Sequence, residues 1–345
     1  MRITESVRRL EAYVPGEQPK TKDVIKLNTN ENPYPPSPKC AEVMKNFDLD
    51  RLRRYPDPNF TALREAIAKA NGCGIENVFV GNGSDEVLAI AAKCFVEDDE
   101  AIGSLDPSYS LYKTLAAIRN VEWRGAPLDE HETLSMKHEA LRNVSLFLWT
   151  NPNAPTGTFA EIEEIDRFAK EFPGVVIVDE AYADFARDNA MRLATAKDNR
   201  NLIVMRTFSK SYSLAGLRVG YAVGPANLIE AMFKVKDSYN VDAVAQAVAL
   251  AAFEDQSWMK ANAAKVVATR KAFTAELERR GWDVLPSESN FVFAKPPAPL
   301  TAAGVFASLK SRNIFVRYFP GPLTGDRLRI TIGTDPQMST LLSVL

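Results

Sequence analysis

The chain has 345 residues, of which 46% are hydrophobic and 25% are charged. At about 150 residues per domain, this length indicates roughly two domains of ordinary globular composition. Lysine and arginine together number 42, aspartate and glutamate number 44, and the formal net charge is −2. A general nucleic-acid binder would show a basic excess, so this balance argues against that class of protein.

Disulfide, metal and membrane functions find little support in the sequence. Cys40, Cys73 and Cys94 are odd in number and far apart, which is typical of a protein of the reducing cytosol. His131 and His138 stand beside acidic residues and are interpreted as part of a solvated helix face, so no metal site is predicted. Because no apolar run approaches 18 residues and the N-terminus lacks a signal-peptide core, we expect a cytoplasmic protein.

Helices and strands alternate from about residue 60, which indicates an α/β fold. The strands are apolar on both faces, as in VSLFLWT and VVIV, and this is typical of a parallel sheet that helices cover on both sides. The predicted strands are 77–80, 101–103, 121–124, 144–150, 175–178, 202–205 and 218–223. The predicted helices between them are 61–71, 84–95, 109–119 and 161–171.

The pattern changes after about residue 235, which predicts a second, smaller α+β domain. A long helical stretch at 241–280 is followed by short elements. These are strands at 282–285 and 290–293, a helix at 302–311, strands at 314–317 and 327–332, and a last helix. Residues 15–38 are rich in proline and asparagine and predict an extended arm that joins the small domain. The expected organisation is an arm at 1–35, a large domain at 36–235 and a small domain at 236–345.

Polar loops follow the predicted strands at their carboxyl ends, where parallel sheets carry their reactive groups. These loops are 81–85, 106–109, 151–157, 179–182 and 207–211. The first is either a capped turn or a phosphate cradle, because backbone N–H groups and the helix dipole favour an anion there. Glu86 replaces the third glycine of G-x-G-x-x-G, and no G-x-x-x-x-G-K-[ST] occurs. A dinucleotide fingerprint and a P-loop are therefore both excluded.

Three charged residues in or near these loops suggest chemistry. Lys210 lies among small hydroxyl residues; lysine forms Schiff bases and burial lowers its pKa, although a single loop lysine is more often simply exposed. Arg218 lies in an apolar segment, where it should need an anion. Asp179 ends an apolar strand. It could pair with Arg218 or a helix N-terminus, or it could keep a heterocyclic nitrogen protonated, as pyridoxal phosphate requires.

Together these residues resemble the fold-type I pyridoxal-phosphate aminotransferases. The resemblance consists of Asp179-x-x-Tyr182, Ser209-Lys210, Arg218, and a loop at 151–157 (NPNAPTG) similar to N-P-x-N-P-T-G. It extends from about residue 13 to 334. It implies pyridoxal 5′-phosphate as cofactor and an aspartate-aminotransferase-like fold, in which the large domain has a mostly parallel seven-stranded sheet flanked by helices.

Further segments are similar to one branch of that family, the histidinol-phosphate aminotransferases. They are Tyr13-x-Pro15-Gly16-Glu17, 27–33 (LNTNENP), 54–57 (RYPD), 83–86 (GSDE), 314–317 (IFVR) and 328–334 (LRITIGT). The implied reaction transfers an amino group between L-histidinol phosphate and 2-oxoglutarate in histidine biosynthesis, giving imidazole-acetol phosphate and glutamate. An aromatic-amino-acid aminotransferase or a threonine-phosphate decarboxylase of the same fold remains the alternative.

The resemblance also assigns roles to residues. Lys210 would join the cofactor covalently and later move a proton, Asp179 would pair with the pyridinium nitrogen, and Tyr182 would bond the ring 3-oxygen. The remaining implied cofactor contacts are Gly83, Ser84, Asp85, Tyr109, Asn153, Thr207, Ser209, Arg218 and Tyr55. Tyr55 would reach the cofactor of a neighbouring subunit, which implies a homodimer with a shared active site.

The substrate side of the site is implied in the same way. Arg329 would bind the substrate α-carboxylate, and Tyr13, Asn30 and Arg317 would bind the phosphate end. The expected partners are therefore small molecules, a phosphorylated amine or amino acid and a 2-oxo acid, with no nucleic acid and no membrane.

The chain departs from the family at Ala154, where an asparagine usually bonds the ring 3-oxygen. Either Asn153 takes over after a small loop shift or Tyr182 carries that contact alone, and we favour Asn153. Two other classes are disfavoured. A regulator with an aminotransferase-like module would need a DNA-binding segment, and a nicotinamide oxidoreductase would need the missing glycine fingerprint.

Overall fold

A computed structural model of the chain describes residues 3, 7–8, 10, 16–19, 23–127 and 139–345. The predictions made for Tyr13, His131 and His138 lie outside the described residues. The strands are β1 (Ile25–Lys26), β2 (Val78–Gly81), β3 (Ala101–Leu105), β4 (Glu122–Ala126), β5 (Val144–Thr150), β6 (Val175–Asp179), β7 (Leu202–Thr207), β8 (Gly220–Val223), β9 (Asp283–Val284), β10 (Phe291–Lys295), β11 (Ile314–Phe315), β12 (Arg317–Tyr318) and β13 (Leu328–Thr331). The helices are α1 (Pro38–Asn46), α2 (Thr61–Asn71), α3 (Ser84–Phe95), α4 (Leu111–Arg119), α5 (Ile162–Glu171), α6 (Met191–Ala194), α7 (Ala226–Val235), α8 (Ala243–Phe253), α9 (Gln256–Arg279), α10 (Ala302–Ser311) and α11 (Asp335–Leu342).

The larger sheet has seven strands in the order β2-β8-β7-β6-β5-β3-β4. Strand β8 runs antiparallel to both of its neighbours, and the other neighbouring strands pair in parallel. Two antiparallel pairings in succession leave β2 pointing the same way as β7. The predicted mostly parallel seven-stranded sheet is therefore confirmed.

Helices cover both faces of this sheet because its central strands are apolar on both sides. In β5, Leu146 and Leu148 pack into one buried cluster and Phe147 and Trp149 pack into the other. The alternation follows from the two-residue period of a strand. Helices α3, α4 and α7 supply the first cluster, and helices such as α2, α5 and α8 supply the second. None of the helices in the described part of the chain combines the length and apolar character that crossing a membrane requires.

A second sheet is formed by the C-terminal part of the chain. It has four antiparallel strands in the order β12-β13-β10-β9, and β11 pairs separately with β1 in parallel. Residues 25–26 of the N-terminal segment therefore pair with residues 314–315 of the C-terminal part. The domain boundaries at residues 35 and 235 stay a prediction.

Several elements differ from the sequence prediction. The single helical stretch expected at 241–280 is two helices, because Asp255 leaves helical geometry and its carboxylate accepts hydrogen bonds from Ser37 and Ser257. The strand expected at 314–317 is divided between two sheets, as β11 and β12. Helix α1 follows the proline-rich segment directly, where Ser37 caps its N-terminus. These differences depend on contacts with distant residues, which a local pattern does not contain.

Candidate active site

The carboxyl ends of the parallel strands open into a cavity of about 600 Å³. Each of the five loops predicted from the sequence contributes residues to the lining of this cavity, as expected for a parallel sheet. The predicted site residues that line it are Asn30, Ser84, Asp85, Tyr109, Asp179, Tyr182, Thr207, Ser209, Lys210, Arg218, Arg317 and Arg329.

Asp179 ends β6 at the bottom of the cavity and is almost completely buried. One carboxylate oxygen accepts a hydrogen bond from the Tyr112 hydroxyl at 2.8 Å, and the other accepts from the Ala181 N–H at 3.1 Å. Burial raises the pKa of the Asp179 carboxyl to about 6. The adjacent acid Glu180 pairs with Arg206 at 2.8 Å, whereas Asp179 has no cationic partner among the described residues. Asp179 is therefore available to a cationic group of a ligand.

Lys210 supplies a partly buried amine on the loop that follows β7. Its Nζ donates to the backbone carbonyl of Thr29 at 3.1 Å and lies 5.8 Å from the centre of the Tyr182 ring. Burial, and then the nearby Arg329 cation, lower the pKa of the Lys210 amine to about 8. A larger fraction of this amine is neutral near pH 7 than of an ordinary lysine, and the neutral amine is the nucleophilic form.

Tyr182 lies between these two groups and is buried. Its hydroxyl oxygen accepts a hydrogen bond from the Asn30 side-chain amide at 2.9 Å. Burial raises the pKa of the Tyr182 hydroxyl, so the phenol stays protonated near neutral pH and keeps its hydrogen to donate. The side-chain oxygen of Asn30 accepts a hydrogen bond from Thr331 at 3.0 Å, so both the nitrogen and the oxygen of this amide have partners.

An anion cradle is formed where α3 begins. Ser84 and Asp85 are in the first turn of α3, and Gly83 precedes it with a φ of 83°. A Cβ at Gly83 would lie 2.6 Å from the Arg218 guanidinium, and one at Gly220 would lie 2.5 Å from the Ser84 nitrogen. These two positions therefore require glycine if the guanidinium and the helix end are to approach so closely.

Arg218, which lies two residues before β8, reaches this cradle. Its guanidinium lies 3.3 Å from the Asp85 carboxylate and 3.4 Å from the Ser209 hydroxyl, which in turn accepts from Thr207 at 3.0 Å. The ion pair with Asp179 considered from the sequence is not formed. A partly exposed guanidinium, small hydroxyls and a helix N-terminus together favour a phosphate.

Two further cations lie at the other end of the cavity. The guanidinium groups of Arg317 and Arg329 lie 5.2 Å and 5.1 Å from the centre of the Phe319 ring. Arg329 also donates to the backbone carbonyl of Asn28 at 3.0 Å. This end of the cavity is therefore electropositive and suits a substrate with carboxylate or phosphate groups.

The structure does not bring three of the predicted cofactor contacts to the cavity wall. The Asn153 amide donates to the carbonyl of Pro107 and accepts from Ser108, both at 3.0 Å, so it is engaged within its own region, while Ala154 lines the cavity. Tyr55 is 79% exposed and its ring stacks on Tyr239 at 4.3 Å. Gly83 acts through the backbone geometry described above.

Some residues that the sequence analysis did not single out hold the site together. Tyr112 bonds both Asp179 and Thr150, the latter at 2.6 Å, and Thr331 bonds Asn30. The Tyr112 ring packs edge-on against the Tyr109 ring, with centroids 5.6 Å apart, but no local signal connects Tyr112 to Asp179, which is 67 residues away.

The residues present fit pyridoxal 5′-phosphate. A buried carboxylate without a cation suits the ring nitrogen, a partly buried amine of lowered pKa suits the aldehyde, and the cradle at α3 suits the phosphate. This combination at the carboxyl edge of an α/β sheet is what a pyridoxal-phosphate aminotransferase requires.

Comparison with known proteins agrees with this class. The family model for aminotransferase class I and II matches residues 22–345. The histidinol-phosphate aminotransferase of Acetobacter pasteurianus is 45% identical, over 98% of this chain and 95% of its own length, and that of Acinetobacter baylyi is 44% identical over the same shares. The chain belongs to the class I and II aminotransferase family, as predicted.

A solved structure shows the same fold. The histidinol-phosphate aminotransferase of Sinorhizobium meliloti, in complex with pyridoxal-5′-phosphate, superposes with a TM-score of 0.89. The alignment covers 100% of this chain and 96% of that one, at 24% sequence identity. The predicted aspartate-aminotransferase-like fold is therefore confirmed over the whole aligned chain.

The raised pKa of Asp179 predicts a pH-dependent stability of the cofactor-free protein. Its carboxyl titrates at about 6 when folded but near its ordinary value when unfolded. The folded state therefore binds more protons between about pH 4 and 6, and the free energy of unfolding falls as pH rises through that window. The side chain of Asp179→Asn cannot ionise. The free energy of unfolding of this variant, measured relative to that of the wild type, should therefore be about 3 kcal/mol higher at pH 7 than at pH 4.

Urea denaturation at several pH values measures this difference. The exposed Asp198→Asn serves as the control and should follow the wild type throughout. If the difference in free energy of unfolding between Asp179→Asn and wild type does not change with pH, the raised pKa of Asp179 is contradicted.

Proposed function

We propose that this protein is a histidinol-phosphate aminotransferase that uses pyridoxal 5′-phosphate and 2-oxoglutarate. The observation that carries the proposal is the presence, in one cavity, of a partly buried Lys210 amine of lowered pKa, a buried Asp179 carboxylate of raised pKa and two arginines at the substrate end. The two relatives at 44% and 45% identity support the choice of substrate.

The chain's own residues would divide the work as follows. Ser84, Asp85, Thr207, Ser209 and Arg218 would hold the cofactor phosphate through the α3 N-terminus, hydroxyls and a guanidinium. Asp179 would keep the ring nitrogen protonated, with Tyr112 fixing the carboxylate. When bound, the cofactor supplies an electron sink for the charge that develops at the substrate α-carbon.

Lys210 would carry the proton transfers. Its Nζ, once free, would accept the proton from the α-carbon and return it to the neighbouring cofactor carbon. The pKa of about 8 places this amine within reach of both protonation states near neutral pH, which suits a group that must accept and then donate. Tyr182 would donate to the ring 3-oxygen, and Tyr109 would pack on the ring face.

The substrate end would suit both a phosphorylated amine and a dicarboxylate. L-Histidinol phosphate has no α-carboxylate and carries its negative charge on phosphate, whereas glutamate carries two carboxylates. Arg329 and Arg317, which flank Phe319, would offer guanidinium groups to both kinds of anion. Tyr13 remains a proposed contact of the phosphate end.

The proposed active unit is a cytoplasmic homodimer with a shared site. Leu49, Leu52 and Tyr55 are 73%, 53% and 79% exposed within seven residues of chain. Apolar side chains exposed in such a group are normally covered by a partner. We assign a second copy of this chain as that partner, so that Tyr55 would reach the cofactor phosphate of the neighbouring site.

Lys210→Ala should abolish the covalent attachment of the cofactor. The wild type mixed with pyridoxal phosphate should turn yellow, and borohydride should leave the label on Lys210. The variant should lose the reducible link and about 10²- to 10⁴-fold in turnover, because it lacks the proton-transfer group. Peptide mapping by mass spectrometry and steady-state kinetics measure both effects.

Lys113→Ala is the matched control, since Lys113 also lines the cavity but pairs with Asp106 at its edge. Labelling of Lys113 instead of Lys210, or unchanged turnover without Lys210, would overturn the proposed function.

Arg317→Ala should weaken the preference for phosphorylated amines. Loss of a charge-assisted bond to phosphate should lower kcat/KM for L-histidinol phosphate by about 10- to 100-fold. The effect on phenylalanine should be smaller, because that substrate has no phosphate. Tyr13→Phe provides a second probe of the same end. A wild type that prefers phenylalanine would instead favour the aromatic-amino-acid alternative.

The shared site predicts complementation between two defective variants. Tyr55→Ala and Lys210→Ala should each have low activity alone. After subunit exchange, mixed dimers would contain one site with both native residues, and random pairing should recover about a quarter of the wild-type activity. Activity that equals the sum of the separate variants would contradict a shared site.

A further inference from the structure

The Tyr182 hydroxyl is held by the N-terminal segment and the small sheet, not by its own loop. The Asn30 amide nitrogen donates to the Tyr182 oxygen at 2.9 Å. The Thr331 hydroxyl donates to the Asn30 side-chain oxygen and accepts from the Asn30 backbone N–H, both at 3.0 Å. The Asn290 side chain donates to the Asn30 carbonyl at 3.0 Å. Two separate parts of the chain, at Thr331 and Asn290, therefore bond Asn30, and Asn30 in turn bonds the phenol.

These bonds fix the direction in which Tyr182 donates. Since Thr331 occupies the side-chain oxygen of Asn30, the amide nitrogen faces Tyr182 and the phenol oxygen accepts. A phenol has a single hydrogen, so that hydrogen remains for another acceptor, and Tyr182 lines the cavity. A hydroxyl that accepts one hydrogen bond is also a stronger donor in the next.

The backbone at Asn30 is specialised for this contact. Its φ is 56°, in the left-handed region, and the residue is only 1% exposed. Asparagine tolerates this region better than most residues, but the conformation persists only where its surroundings hold it. Here Thr331 holds it, through both the backbone N–H and the side-chain oxygen of Asn30, which leaves the amide pointed at Tyr182.

Residues 153 and 154 do not offer the cavity a comparable donor. Ala154 lines the cavity with a methyl group, and the Asn153 amide is engaged with Pro107, Ser108 and Thr156. Because residue 154 is alanine, no side-chain amide at that position shares the ring oxygen with Tyr182. That contact depends on the Tyr182 hydroxyl and on whatever orients it.

We propose that Asn30, anchored by Thr331, is a positioning residue that keeps the Tyr182 hydroxyl as a donor to the 3-oxygen of the cofactor. Asn30 compensates in this way for the missing amide at Ala154. The inference rests on the proposed function only for the identity of the cofactor.

A change in the proton affinity of the bound cofactor follows. A donor to the ring oxygen stabilises its ionised form, so it lowers the pH at which the proton shared with the Lys210 nitrogen is lost. Loss of Asn30 lets the Tyr182 hydroxyl rotate away and weakens that donor. The midpoint of the absorbance titration of the bound cofactor should then move to higher pH.

The test is a spectrophotometric pH titration of the cofactor-loaded protein without substrate. Asn30→Ala should raise the midpoint by about one unit, a tenfold change in proton affinity, and Thr331→Val should shift it in the same direction. In a Tyr182→Phe background, Asn30→Ala should add little, because both act through one hydroxyl. Ala154→Asn, added to Asn30→Ala, should move the midpoint back by restoring an amide at the ring oxygen.

Asn290→Ala is the matched control. It removes a hydrogen bond to the same segment but leaves the Asn30 amide and Tyr182 in contact, so the midpoint should stay at the wild-type value. An unchanged midpoint in Asn30→Ala and in Thr331→Val, or an equal shift in Asn290→Ala, would overturn the positioning role. If Asn30→Ala does not fold, the near-isosteric Thr331→Val decides. A wild type that acquires no chromophore with pyridoxal phosphate overturns the proposed function and this inference with it, whereas a yellow wild type with unshifted variants overturns the inference alone.

Discussion

The site depends on holding a buried acid and a partly buried amine at one edge of a sheet without a direct ion pair between them. Asp179 is satisfied by Tyr112 and a backbone N–H, and Lys210 is satisfied by a backbone carbonyl. Charge in an apolar interior is costly, so burial shifts both groups toward their neutral forms. A direct ion pair between Asp179 and Lys210 would stabilise both charges. It would also lower the affinity for a ligand that has to separate the two groups.

Strand topology brings these groups together with the anion cradle. Strands β6 and β7 are parallel neighbours, so Asp179 and the Lys210 loop emerge at the same edge. Because β8 is antiparallel to both of its neighbours, β2 also ends at that edge and delivers the N-terminus of α3 there. Gly220 pairs with both Gly81 and Thr207, and the absence of a side chain lets the helix end pack against it.

The segment from Leu27 to Asn32 completes the cavity from outside the large sheet. The Leu27 N–H donates to the Phe315 carbonyl, and the Leu27 carbonyl accepts from the Thr331 N–H. The Thr29 carbonyl accepts a hydrogen bond from the Lys210 amine, and the Asn32 side chain donates to the Lys210 carbonyl. The same short segment thus connects the small sheet, which carries Arg317 and Arg329, to the loop that carries the amine. Movement of the small sheet would therefore displace the hydrogen-bond partners of Lys210 and, through Asn30, of Tyr182.

The sequence by itself determined the sheet, the loops at its carboxyl edge and the family, because these depend on local patterns. Strand β5 and helices α2, α3 and α10 match their predicted bounds, since apolar periodicity and capping act within a few residues. Only the tertiary structure decided which distant side chains meet. Asn30 and Tyr182 are 152 residues apart, and Tyr112 and Asp179 are 67 apart. Such partners are selected by how helices and sheets pack, and no short-range pattern in the chain encodes that choice.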